Sequence, residues 1–304
     1  MYPQPPLVDA RQIDAELARF LADEQLPQDY AIDARRYFLP LLDHLIALQR
    51  AKGRCLLLGI NGAQGSGKST LAALLCRLLA SLGYSVANLS IDDFYLSNAA
   101  RQELARQQHP LLVSRGVPGT HDTALLRAKL QALRKAEAGQ RISLPRFDKA
   151  RDDCQPQQRW PEIAAPVQFI FLEGWFVGLQ PQAEAELAKP VNELESEEDA
   201  ECRWRRFVNR SLAGDYQEVF AQLDELIMLQ APSFEQVFQW RGLQEAKLRQ
   251  RSDHSASGVM DEARLRRFIQ HFERLTRHCL RSLPARADQL FVLDTSHRIH
   301  AAGD

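Results

Sequence analysis

The stretch "CLLLGINGAQGSGKST", residues 55–70, restricts the fold more than any other part of the chain. Its first six residues form a short, continuous apolar run before the glycine-rich loop, the pattern of a strand buried on both faces. Gly62, Ala63, Gln64, Gly65, Ser66, Gly67, Lys68 and Ser69 fit G-x-x-x-x-G-K-[ST] without a gap, and Thr70 follows as a second hydroxyl beside the phosphates. Glycine permits positive φ and leaves backbone N–H groups free to point into a concavity, where they form an anion nest. A helix follows directly in "KSTLAALLCRLLASLG", closed by Gly83. Strand, nest and helix N-terminus together are a phosphate cradle. Lys68 can reach the β- and γ-phosphates, and the Ser69 hydroxyl can bind Mg²⁺. The loop exposes backbone because backbone is the ligand.

The rest of the chain repeats the strand–helix rhythm. Residues 55–60, 85–91, 166–174, 223–230 and 289–295 read as strands, and the second and third are separated by the helix "HDTALLRAKLQALRKAEAG". Such alternation predicts an α/β P-loop NTPase fold with a five-stranded parallel sheet flanked by helices. Residues 1–52 read as a helical N-terminal extension, and 53–304 as the domain that carries the phosphate loop. Residues 95–120 are polar, with two prolines and two glycines, and read mainly as loop. An acidic-then-basic stretch at 184–209 lies within a helical insertion around 181–215. It reads as solvated, or alternatively as a cap on the substrate side.

Composition narrows the function classes. With 38 Lys and Arg against 39 Asp and Glu, the chain lacks the basic surface that bulk nucleic-acid binding needs. No apolar run reaches the ~18–20 residues that span a bilayer, and "MYPQPPLVDA" has neither basic nor apolar signal regions. The five cysteines form no C-x-x-C pair. We expect a cytoplasmic protein with reduced thiols, a small-molecule partner and no nucleic-acid or membrane partner, as a monomer or homodimer.

Three further features separate a kinase from other phosphate-loop proteins. N-K-x-D and L-S-G-G-Q, the marks of GTPases and ABC ATPases, do not occur. "SIDDFYL" follows the second strand, so Asp92 stands at the carboxyl end of the sheet, beside the phosphates. It can orient a substrate hydroxyl, accept its proton and approach Mg²⁺, whereas a plain helix cap is the bland alternative. Asp93 and Tyr95 flank it on the acceptor side. Glu173 ends the buried strand "FIFLEG" and is a candidate for holding Mg²⁺. Between Arg241 and Arg286 there are 11 basic and 5 acidic residues. Arg241, Lys247 and Arg249 lie on one predicted helix, in a lid around 233–258 that can present arginine to a transferring phosphoryl group. Trp175 can wall an acceptor pocket or belong to the core. His271 and His278 share a helix but do not by themselves make a metal site. Arg146 and Lys149 in "PRFDK" can hold a substrate carboxylate, or merely balance neighbouring aspartates.

These pieces, with "GVPGTHD" (116–122), "LPRFDKARDD" (144–153), "FLEGWFVG" (171–178) and "QWRGLQEAKLR" (239–249), resemble the D-glycerate 3-kinase family. That family groups with the uridine kinase, phosphoribulokinase and bacterial pantothenate kinase P-loop kinases. The resemblance runs over about residues 59–250. It implies ATP and Mg²⁺ as cofactors and D-glycerate as acceptor, giving 3-phosphoglycerate. Asp92 then matches the catalytic base, Glu173 the magnesium-associated glutamate and Arg241 the lid. His121 and Asp122 match an acceptor-facing element, and Arg146, Asp148 and Lys149 match the P-R-[FY]-D-K element. After D-K the chain reads "ARDDCQPQQRW" in place of a glycine-rich run, and 184–201 also departs from the family pattern. "TSHRIH" (295–300) stands where related kinases pack the adenine. A nucleoside or pantothenate-like acceptor, or a non-catalytic nucleotide-binding switch, are the alternative readings.

Overall fold

The structure is a computed structural model and describes residues 10–251 and 262–300. Its main sheet contains β1 (Leu56–Gly62), β2 (Val86–Ser90), β7 (Phe169–Gly174), β8 (Glu225–Gln230), β9 (Gln289–Leu293) and β10 (Ile299–His300). Between β2 and β7 lie four short strands: β3 (Arg141–Ser143), β4 (Phe147–Asp148), β5 (Asp153–Cys154) and β6 (Glu162–Ala164). They pair as two antiparallel ribbons, β3 with β6 and β4 with β5. The main sheet runs β10-β9-β8-β1-β7-β2. Five of its strands are parallel, as the strand–helix rhythm predicts, and β10 adds a short antiparallel sixth beside β9.

The strand order follows from composition. β1 and β7 are buried at every position and occupy the middle, where both faces are covered. β2 alternates buried Ala87 and Leu89 with half-buried Val86, Asn88 and Ser90, and lies at the edge. Alternation along the strands divides the core into two layers. On one face Leu57, Leu89, Ile170, Leu172 and Met228 pack with Leu126 and Leu130 of α6 (Thr123–Lys135) and Phe272 of α12 (Glu262–Ser282). On the other, Leu56, Leu58, Ile60, Phe171 and Leu229 pack with Leu74 and Leu78 of α4 (Lys68–Ser81). Burial of each such leucine contributes roughly 1.5–3 kcal/mol.

Three N-terminal helices, α1 (Ala10–Asp23), α2 (Gln28–Asp33) and α3 (Leu39–Lys52), join that second layer. Leu17, Phe20, Leu42 and Leu45 belong to the same apolar cluster as α4 and β1.

Two segments differ from their sequence reading. Within 95–120 the chain forms α5 (Asn98–Gln107) and a short turn of helix at Pro110–Val113, where we expected mainly loop. The helix is capped by Ser97, whose hydroxyl accepts from the Ala100 N–H at 3.2 Å. Its anchor is polar: fully buried Arg101 donates to the carbonyls of Leu96, Val113 and Asp152 and to the Asp152 carboxylate. An arginine anchor leaves no apolar period to read.

The acidic stretch is the second difference. It forms α7 (Glu184–Leu187), α8 (Glu193–Glu197) and α9 (Arg203–Ser211), ahead of α10 (Gln217–Phe220), and its charges are partly interior. Glu195, Asp199 and Arg205 are buried with Arg274 of α12. Arg274 grips both Glu195 oxygens at 2.7 and 2.6 Å, and Arg205 reaches Asp199 at 3.1 Å. The reading as a solvated insertion does not hold for these side chains.

Among the described residues, no helix is long and apolar enough to cross a membrane. All five cysteines are free thiols.

Candidate active site

At the carboxyl end of β1 the chain enters the loop at Gly62, where a Cβ would meet Ser66 Oγ at 2.4 Å. Only glycine fits that approach. Gly65 and Gly67 hold left-handed φ of 81° and 88°, and Gly67 directly precedes α4. A Cβ on Gly67 would meet nothing within 4 Å, so its left-handed φ, not crowding, is what favours glycine there.

β7 delivers Glu173 to the same end of the sheet, in register with Ile60 of β1 and Ser90 of β2. Ser69 Oγ donates to Glu173 Oε1 at 2.9 Å. Lys68 Nζ lies 3.8 Å from Glu173 Oε2, which is buried and accepts no hydrogen bond among the described residues. A buried carboxylate oxygen left without a donor costs on the order of 1–3 kcal/mol. One hydroxyl and one orphaned anionic oxygen at the foot of a phosphate cradle are hard oxygen donors of the kind Mg²⁺ takes. The residues present fit that ion.

Asp92 lies one strand over, in a single helical turn (Ile91–Phe94) after β2, whose start is capped by Ser90. Tyr95 OH donates to Asp92 Oδ1 and Lys149 Nζ to Oδ2, both at 2.7 Å. Burial pushes the Asp92 carboxyl up, but the charges of Lys149 and Lys68 and these two hydrogen bonds outweigh it and lower it to about 2. Asp93 is used differently. It accepts from Arg146 Nη1 and from the Phe147 N–H, both at 3.2 Å, and so fastens β4 to the turn. Burial is the main influence there, and it raises the Asp93 carboxyl above the usual range.

No family model matches the chain. The uncharacterized kinase mug58 of Schizosaccharomyces pombe is 35% identical over 245 residues, covering 76% of this chain and 83% of that one. The chloroplastic D-glycerate 3-kinase of Arabidopsis thaliana is 32% identical over 246 residues, 74% of this chain. The chain spans half, 50%, of the Arabidopsis protein's length. The chain belongs to the D-glycerate 3-kinase family of P-loop kinases. Its fold is shared with the D-glycerate 3-kinase of Cryptococcus neoformans at a TM-score of 0.70 and 23% identity, over 86% of this chain and 97% of the other.

The other candidates of this kinase site divide by position. Tyr95 is buried, its ring 4.7 Å from that of His121, to which its backbone also bridges. His121 is buried, with Nδ1 2.7 Å from Tyr216 OH, and burial lowers its pKa to about 3, so the ring is neutral. Asp122 caps α6 by accepting from the Leu125 N–H at 2.8 Å. Arg146 and Lys149 stand beside Asp93 and Asp92 on the β4–β5 ribbon. Trp175 is a core residue here: its ring packs on Phe176 and Phe272 and its N–H donates to the Gly116 carbonyl at 3.1 Å. Arg241 lies in α11 (Phe234–Arg251), one residue past buried Trp240. The lid residues 252–258 and the side chains of Lys247 and Arg249 fall outside what is described. Among the described residues, no group of histidine, cysteine and acidic side chains that includes His271 or His278 is gathered to hold a metal.

Sequence reasoning missed one wall of the site. A cavity of about 510 Å³ opens beside Gly65, Gly67 and Thr70 and is lined by Tyr30, Asp33 and Phe38 of the N-terminal segment, Trp240 and His297. His297, at φ 65°, bonds the Gly65 carbonyl at 2.8 Å and stacks on Trp240 at 4.0 Å. Arg298 clamps both oxygens of Asp33 at 2.8 and 2.9 Å, tying α2 to the β9–β10 turn. "TSHRIH" pointed to this place; nothing local marked Tyr30, Asp33 or Phe38.

Proposed function

We propose that the chain transfers the γ-phosphoryl group of ATP to the 3-hydroxyl of D-glycerate, giving 3-phosphoglycerate and ADP. One observation carries this reading: Asp92 feels the charge of Lys68 from the phosphate loop and is paired with Lys149, while its neighbour Asp93 is paired with Arg146. A proton acceptor is what a kinase needs at that place, and fixed positive charge is what an acidic acceptor needs.

The roles follow from position. The loop N–H groups and Lys68 hold the nucleotide phosphates, and the cavity by Trp240 and His297 suits the nucleoside. Ser69 and Glu173 would hold Mg²⁺, which when bound neutralises charge on the phosphates. Asp92 orients the acceptor hydroxyl. Its oxygen forms the new bond to the γ-phosphorus, its proton passes to the Asp92 carboxylate, and the bond to the bridging oxygen breaks to release ADP. Arg146 and Lys149 position the acceptor's carboxylate, and the neutral His121 lies behind Tyr95. Arg241 joins from the lid segment, 233–258, to steady the transferring group. Asp93, Tyr95 and Asp122 shape the acceptor side by holding the turn and α6. We assign residues 1–52 to a helical extension of a kinase domain that covers 53–304. The free thiols support a cytoplasmic setting, with the chain acting as monomer or homodimer.

The test is ADP release from Mg-ATP with D-glycerate, uridine and pantothenate offered separately, and identification of the phosphorylated product. Turnover confined to uridine or pantothenate replaces the acceptor. ATP binding with no turnover of any acceptor favours a nucleotide switch.

A further inference from the structure

Both oxygens of the base are occupied. Tyr95 OH holds Asp92 Oδ1 and Lys149 Nζ holds Oδ2, each at 2.7 Å. The two partners differ in freedom. Tyr95 is buried between His121 and Phe147 and is fixed. Lys149 is 61% exposed and belongs to the turn between β4 and β5. That turn is itself held: Asp148 Oδ1 accepts from the Ala150 and Arg151 N–H groups at 3.0 and 3.1 Å, and Asp93 fastens its base through Phe147 and Arg146. The backbone is therefore anchored while the lysine side chain alone can swing. An ion pair whose cationic member is largely exposed can be solvated on that side, so the ammonium can exchange partners.

An ammonium on Oδ2 blocks the oxygen that must receive the acceptor's proton. We propose that Lys149 is a specificity latch: it masks Asp92, and the carboxylate of an acidic acceptor draws it away and so frees the base. This rests on the kinase reading above and deepens it. A carboxylate gives Lys149 an equivalent partner a short reach from Asp92, so the ammonium moves without losing its ion pair. A neutral acceptor gives it none and meets a masked base. Water is neutral too, so the latch also suppresses wasteful hydrolysis. In that side reaction water oxygen bonds to the γ-phosphorus, a water proton passes to Asp92, and the bond to the bridging oxygen breaks to leave phosphate and ADP.

The experiment uses the full chain with Mg-ATP and compares wild type, Lys149→Met and Lys149→Arg. Three rates are read: ADP release with no acceptor, with D-glycerate, and with glycerol, which has the hydroxyls without the carboxylate. Removing the latch should raise acceptor-free hydrolysis and kcat/KM for glycerol about fivefold, the scale of one exposed ion pair. KM for D-glycerate should rise in the same variant, and Lys149→Arg, which keeps the cation, should raise hydrolysis and glycerol turnover less than Lys149→Met does. A methionine variant with raised KM for D-glycerate but unchanged hydrolysis and glycerol turnover overturns the latch and leaves Lys149 a plain carboxylate contact. If wild type does not phosphorylate D-glycerate, the acceptor reading fails, and acceptor-free hydrolysis alone decides: a rise keeps the latch, and no rise removes it.

Discussion

Replacing Asp92 by asparagine changes one oxygen to an amide nitrogen and keeps the volume, which isolates the proton acceptor from the shape of the site. The amide oxygen still accepts the Tyr95 hydroxyl, so the turn after β2 has no reason to move. General-base catalysis contributes about 10²–10⁴ in rate, or about 3–5 kcal/mol in the barrier. The surroundings place this site in the lower part of that range. The Asp92 side chain is 25% exposed, so water can take the proton in part. Asp93 cannot substitute, because its oxygens are engaged by Arg146 and the Phe147 N–H. We therefore expect kcat for D-glycerate to fall about 10²–10³-fold. Nucleotide affinity should change little or tighten slightly, since a negative charge near Lys68 is removed. Stability should stay within about 1 kcal/mol, because Lys149, the partner left behind, is largely exposed and can be solvated. Steady-state kinetics, nucleotide titration and a thermal melt measure the three quantities. If Asp93→Asn instead carries the loss in kcat and Asp92→Asn turns over near the wild-type rate, the assignment of the base is wrong.

Lys68→Ala should weaken Mg-ATP binding and abolish turnover; calorimetric titration with a non-hydrolysable nucleotide separates the two, and retained turnover rejects the role of the loop. Glu195→Ala leaves the buried guanidiniums of Arg274 and Arg205 without their shared carboxylate and should cost about 3–5 kcal/mol. That is a fall of about 10 °C in Tm, and a fall of only a degree or two would show that the network is not tightly held. Asp224 accepts from Lys52, Arg54 and the Leu57 N–H. Burial pushes its carboxyl up, but these bonds outweigh it and lower it to about 2. A depressed carboxyl stabilises the fold above the unfolded value near 4, and that contribution, at most about 2 kcal/mol, should disappear as pH falls from about 4 to 2. Denaturant melts over that range should show the loss in wild type and a flatter profile in Asp224→Asn.

How far the sequence discloses this molecule depends on how local each cause is. The phosphate loop is legible because its glycines answer to steric demands a few residues away, as Gly62 does to Ser66. The parallel strands are legible because a strand covered on both faces must be apolar throughout, and β1 and β7 are. Glu173 inherits that legibility because it stands at the end of such a strand, and Asp92 is legible because it directly follows the edge strand β2. Trp175 marks the limit of the same reasoning. It follows its strand end as closely as Glu173 does, yet its ring lies against Phe272, about a hundred residues onward in the chain.

The acidic segment shows why charge patterning alone misleads. A run such as "NELESEED" looks solvated because an unpaired buried carboxylate is costly. That inference assumes the neighbours in sequence are the neighbours in space. Glu195 escapes the cost through Arg274 on α12, 79 positions away, which meets both of its oxygens. Arg205 sets the remaining polar groups in order by donating to the carbonyls of Leu187, Glu195 and Asp199. The same logic joins the N-terminal helices to the cavity beside the phosphate loop, where Asp33 and Arg298 meet across 265 positions. Each of these pairs ties a segment to the α/β core from a distant position in the chain, and each needs both charges at once. The cost of deleting one partner should therefore greatly exceed the cost of replacing both with apolar residues of matching shape. That asymmetry distinguishes a fastening built from buried charge from a surface that is merely acidic.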